Sequence, residues 1–101
     1  MKGPETRLRK RIVAKLQERY STILILKIHG GPMQNVCIPD LLCCYCGVFI
    51  GIEIKRPGKK PTPAQVLMMK QIRDSGGIAG VATDFAEADK IVKKAVQDFG
   101  L

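Results

Sequence analysis

Apolar residues recur through Leu8, Ile12, Val13, Leu16 and Tyr20 at the spacing that gathers them on one side of a helix. Pro4 suits the first helical position, where its missing N–H would have had no partner anyway. Arg7, Arg9, Lys10, Arg11 and Lys15 fall on the other faces, so the pattern predicts an amphipathic and strongly basic helix. The β-branched run TILILKI, residues 22–28, predicts a buried strand that ends at Gly30-Gly31-Pro32. Residues 40–46 and 48–55 predict two further strands around Gly47. The segment RPGKKPTP is a loop, and Thr62-Pro63-Ala64-Gln65 matches a capping box that opens a helix to about Asp74. In that helix Val66, Met69 and Ile72 or Arg73 alternate inward and outward, and Gly76-Gly77 ends it. IAGVA, residues 78–82, predicts a short strand. Phe85, Ala88, Ile91, Val92, Ala95 and Phe99 predict the inner stripe of a final helix.

The resulting order is helix, three strands, helix, strand, helix. Two strands joined through a helix, here 48–55 and 78–82, form a parallel crossover unit, whereas the strands flanking Gly47 form a hairpin. The sheet is therefore expected to be mixed, with helices on its faces: an α/β fold in one domain spanning 1–101. Of the 101 residues 46% are hydrophobic and 26% charged, a balance that argues against wholesale disorder.

The formal net charge of +8 makes polyanions the natural partners, nucleic acid ahead of an anionic membrane. A spanning helix needs about 18 or more consecutive apolar residues, which this sequence lacks, and its basic start is not followed by a signal-peptide hydrophobic stretch. A cytoplasmic location is expected. Cys37, Cys43, Cys44 and Cys46 are too crowded for the paired halves of a structural zinc site, and Cys43 and Cys44 would point to opposite faces of a strand. Buried, reduced thiols are expected in place of zinc or disulfides.

Within PDLLCCYCGVFIGIEIKRP, residues 39–57, no charge separates Asp40 from Glu53. If Cys46-Gly47 is a two-residue turn, Tyr45 pairs with Val48, Cys43 with Ile50 and Leu41 with Ile52, and Asp40 falls opposite Glu53. A three-residue loop would shift this register by one. Directly opposite residues have Cβ atoms about 4.5–5.5 Å apart, and two carboxylates that close repel unless a positive charge intervenes. A divalent cation answers that repulsion, and oxygen donors suit Mg²⁺ or Mn²⁺. Lys55 shares Glu53's face of the strand, where it could orient a water or stabilise charge developing on phosphorus.

With Pro39-Asp40, Glu53-Ile54-Lys55 and Gln65 in the following helix, the chain resembles the PD-(D/E)xK nucleases. KIHGGP, IPDLL and IEIKRP are similar to the VRR-NUC branch, in particular to its short stand-alone phage-type members. The resemblance implies a restriction-endonuclease-like αβββαβα core and Mg²⁺- or Mn²⁺-dependent hydrolysis of phosphodiester bonds in DNA. It implies Asp40 and Glu53 as metal ligands, the Ile54 carbonyl as a third, Lys55 as the catalytic lysine, and roles for Glu5 and Gln65. Similar small nucleases, the archaeal junction resolvases, pair as dimers, so a homodimer acting on branched DNA such as a Holliday junction is expected.

Each residue also has a plainer reading. Gln65 completes a capping box whatever else it does, and Glu5 suits the first turn of any helix. Lys27, His29, Arg56, Lys59 and Lys60 are candidate contacts to the nucleic-acid backbone, or solubilising charge. A basic DNA-binding module without catalysis is the alternative function, and nothing in the sequence reads a 2′-hydroxyl to favour RNA.

Overall fold

The computed structural model describes residues 3–28 and 37–100. Its elements are α1 (Pro4–Arg19), β1 (Leu24–Lys27), β2 (Leu41–Tyr45), β3 (Val48–Ile54), α2 (Pro63–Asp74), β4 (Ile78–Ala82) and α3 (Phe85–Asp98). The strands form one sheet in the order β1-β2-β3-β4, with β1–β2 and β2–β3 antiparallel and β3–β4 parallel. The mixed α/β sheet and the αβββαβα order are those expected from the sequence.

The hairpin register agrees residue by residue: Tyr45 pairs with Val48, Cys43 with Ile50, and Leu41 with Ile52. Its turn is Cys46-Gly47, both at positive φ (52° and 84°), which marks a tight two-residue turn whose twist matches that of the strands. One extra residue there would have turned every β3 side chain to the opposite face.

Side-chain alternation divides the sheet into two unlike faces. Leu41, Cys43, Val48, Ile50, Ile52 and Ile54 join Ile12, Val13 and Leu16 of α1 and Ala88, Val92 and Ala95 of α3 in one buried core. On the other face α2 buries Met69 and Ile72 and brings Ile72 against β3 at Gly51. A Cβ at Gly51 would stand 2.9 Å from Ile72 Cδ1 and 3.1 Å from Pro39 Cγ, so the missing side chain lets both segments approach the strand.

Two expectations need correction. The first strand is not buried: Leu24 and Leu26 are 55% and 51% exposed, because β1 is the sheet edge and, among the described residues, no helix covers that side of it. Phe99, placed in the inner stripe, lies beyond the end of α3 and is exposed. Asp89 was not anticipated in the interior. It is buried, accepts from Tyr20 Oη at 2.5 Å, and pairs with Arg19 (3.3 Å) and Lys93 (3.2 Å), tying α1 to α3. Burial first, and then Asp89, pushes the Tyr20 hydroxyl up to about 12.

Candidate active site

The site lies where β2 begins and β3 ends. Asp40 directly precedes β2, and its Oδ2 accepts from the Ile54 backbone N–H at 2.8 Å, extending the hairpin ladder by a side chain. Ile28 N–H donates to the Asp40 carbonyl at 2.8 Å, which fixes the same residue from the β1 side. Glu53 is the next-to-last residue of β3 and only 3% exposed. Its Oε2 accepts from Gln65 Nε2 at 2.7 Å and lies 3.7 Å from Lys55 Nζ.

Gln65 completes the capping box expected from the sequence and also reaches Glu53. Its Oε1 accepts from Thr62 N–H at 2.9 Å while its own N–H donates to Thr62 Oγ1 at 3.2 Å, completing the capping box at the start of α2. The amide's nitrogen is thereby turned toward Glu53.

The electrostatics record an acid pair under strain. Burial, followed by the charge of Asp40, pushes Glu53 up to about 7, while Lys55 and the Asp40 backbone N–H act in the opposite sense. Burial also raises Asp40, opposed by the Ile54 N–H and by the positive charge of Arg9, while Glu5 adds to the rise. Glu5 and Arg9, on the first turns of α1, are thus close enough to act on Asp40. Arg9 was missed as a site residue, although its place four residues after Glu5 put the two on neighbouring turns of one helix face.

Around this centre the surface is basic. Arg56 borders a groove of about 330 Å³ with Gly3, Pro4, Glu5 and Thr6. It also borders one of about 380 Å³ with Arg7, Arg11 and Asp84. Lys59 and Lys60 are exposed in the loop before α2, and Lys27 is exposed on β1 opposite Leu41. His29 lies outside the described residues.

A metal centre built on cysteine does not form among the described residues. No group of three or more His, Cys, Asp and Glu side chains gathers there to hold a metal. Cys43, Cys44 and Cys46 are in no disulfide, but the expectation that the cysteines are buried holds only for Cys43, which burial pushes up to about 12. Cys37 and Cys44 are half-buried, and Cys46 is exposed because it forms the hairpin turn. The oxygens of Asp40 and Glu53, confined and mutually repelling, are instead a hard donor set that fits a cation retaining several waters.

No family model matches the chain. No curated protein matches it. Among solved structures, a chain described as a VRR_NUC domain superposes with a TM-score of 0.64 at 26% sequence identity, over 83% of this chain and 92% of that one. Among the described residues no helix is long and apolar enough to cross a membrane. The resemblance carried by Pro39-Asp40, Glu53-Ile54-Lys55 and Gln65 therefore extends to three dimensions: in fold as in motif, the chain is similar to a VRR-NUC domain of the restriction-endonuclease-like class.

Proposed function

We propose that this chain is a metal-dependent nuclease that hydrolyses phosphodiester bonds in DNA. The observation that carries the reading is the pairing of half-buried Asp40 with buried Glu53, which is held up to about 7 beside Lys55 and Gln65. A fold does not by itself set a function, but a costly acid pair at a basic surface points to a cation and a phosphate.

Asp40 and Glu53 would hold Mg²⁺ or Mn²⁺, with Glu5 nearby. The Ile54 carbonyl projects from the same strand edge as the N–H that Asp40 accepts, which suits it to a third oxygen donor. Bound there, the cation would supply positive charge against the phosphate as the bond breaks. The chain's own residues do the rest. The Ile54 N–H and Gln65 amide fix the two carboxylates, and Lys55 orients the attacking water or stabilises charge on the phosphoryl oxygens. Arg56, Lys59 and Lys60 meet the flanking backbone, a contact set whose strength falls steeply with salt.

A homodimer would supply the second cut on branched DNA. Its support is the uncovered sheet face on which Leu24, Cys44 and Phe49 lie in one cross-strand row and Leu26 and Leu42 in the next. Leu24, Leu26 and Phe49 are each about half exposed there. The unbridged thiols of Cys43, Cys44 and Cys46 suit a reducing cytoplasm.

The test is cleavage of plasmid and branched DNA with Mg²⁺, Mn²⁺ or chelator, alongside calorimetric Mn²⁺ binding. Asp40→Asn should lose both cleavage and metal affinity, whereas Lys55→Ala should keep the affinity and lose rate. DNA binding without cleavage under every metal condition would leave only the non-catalytic module.

A further inference from the structure

Arg9 occupies an unusual position for a cation. Residues 8, 12, 13, 16 and 20 form the apolar stripe of α1, and at the site end of the helix that stripe gives way to Arg9 and Glu5. The Arg9 side chain is half-buried, and its Nε is sealed from solvent without a hydrogen-bond partner among the described residues. Glu5, one turn earlier, is placed to pair with it, and Asp40 feels its charge, yet no ion pair within 4 Å joins Arg9 to either. Asp40 has already committed Oδ2 to the Ile54 N–H.

A buried N–H donor without an acceptor bears the full cost of its lost water, and a guanidinium offers a planar fork of donors matched to carboxylate or phosphate oxygens. The charge balance shows which. Glu5, Asp40 and Glu53 are three acids against the two cations Arg9 and Lys55. A divalent cation on the acids leaves one positive charge in excess, and one phosphodiester cancels it.

Resting on the nuclease reading above, we infer that Arg9 is a phosphate-binding residue of this site, its guanidinium donating to a non-bridging oxygen of the phosphodiester held beside Asp40 and Glu53. It is carried on α1, whereas Lys55 directly follows β3 and Gln65 stands in the first turn of α2, so the phosphate would be met from separate elements. A residue that merely neutralised Asp40 would behave differently, because removing it would alter the acids and leave DNA untouched.

The test compares Arg9→Met, which keeps the stem, and Arg9→Lys, which keeps the charge, with the parent. Cleavage of branched DNA in Mn²⁺, calorimetric Mn²⁺ binding, and binding of an uncut fluorescent duplex in Ca²⁺ are each measured. Arg9→Met should cut on the order of 100-fold more slowly, the usual scale for removing one donor to developing charge. Its Mn²⁺ affinity should be unchanged or tighter, since a cation has left the neighbourhood of the acids. Its duplex binding should weaken with a shallower salt dependence, by about one contact. Arg9→Lys, which should fold where the methionine variant fails to, should recover part of both. Parental duplex affinity in Arg9→Met, or loss of Mn²⁺ affinity in proportion to rate, overturns the inference. A parent that binds the duplex but never cuts it overturns the nuclease reading instead, and weaker duplex binding by Arg9→Met then still supports the phosphate contact.

Discussion

Glu53→Gln tests the cost of the acid pair. In the folded chain Glu53 stands at about 7 against an ordinary glutamate value of 4.5, chiefly because it is buried and secondly because Asp40 is beside it. A carboxyl whose value is raised by folding binds more protons in the native than in the unfolded state, so its contribution to stability is whole below about 4.5 and is lost as pH rises through about 7. At about 1.4 kcal/mol for each pH unit between those values, ionising Glu53 removes about 3 kcal/mol, a large share of the roughly 5–15 kcal/mol typical of a domain. The glutamine of the variant keeps the shape and an oxygen for Gln65 Nε2 but carries no charge. In chelator, the parent should therefore lose stability relative to Glu53→Gln between pH 5 and pH 8, and the variant should melt higher at pH 8. Groups common to both proteins cancel in that difference. On the metal-site proposal the order should reverse with Mn²⁺ present, because the metal would take the ionised pair and its affinity would grow with pH. Denaturant titrations at both pH values, with and without Mn²⁺, measure this directly. Parallel pH profiles for parent and variant in chelator would refute the claim that the acids repel in a buried setting.

Asp89→Asn leaves the Tyr20 hydroxyl an acceptor but strips two cations of their shared partner. It should cost about 2 kcal/mol in denaturant unfolding, less than a fully buried pair because Arg19 and Lys93 are half exposed. Gly51→Ala places a methyl 2.9 Å from Ile72 Cδ1 and should cost about 1–3 kcal/mol. It should also weaken Mn²⁺ binding, since α2 and Pro39 carry Gln65 and Asp40 to Glu53. Gln65→Glu keeps a capping residue but replaces the donor to Glu53 with a third acid. Helix content by circular dichroism should hold while metal-free stability at pH 8 falls by about 1 kcal/mol or more.

The period-two pattern and a two-residue turn at Cys46-Gly47 made the hairpin legible, because a slip of one residue would take one strand's apolar set off the core face that Leu41, Cys43, Ile50 and Ile52 share. That register in turn brings Asp40 to Glu53 from the sequence alone. The exposure of β1 was not legible: TILILKI has the composition of a central strand, and nothing local to it says that no helix lies over Leu24 and Leu26. Asp89 escaped for a related reason. A charged residue in an amphipathic helix reads as surface, and its partner Tyr20 is 69 residues away in the chain. Arg9 looked like one more cation of a basic helix. Its partial burial depends on how the start of α1 meets the start of β2 and the end of β3, a tertiary fact with no periodic signature.

Gln65 shows why a structural and a chemical requirement can fall on one side chain. The helix start needs an acceptor three residues after Thr62, and the site needs a donor to Glu53 Oε2. Glutamate meets the first need and adds repulsion to the second. Lysine meets the second and leaves the Thr62 N–H without its cap. Asparagine has both groups on a stem one methylene shorter. Only an amide of this length presents an oxygen to the turn and a nitrogen to the acid at once, and satisfying the oxygen at Thr62 decides which way the amide is turned. The cap is thus what orients the donor, and the rigidity of the first turn of α2 is passed to a carboxylate on β3 without any side chain of the core taking part.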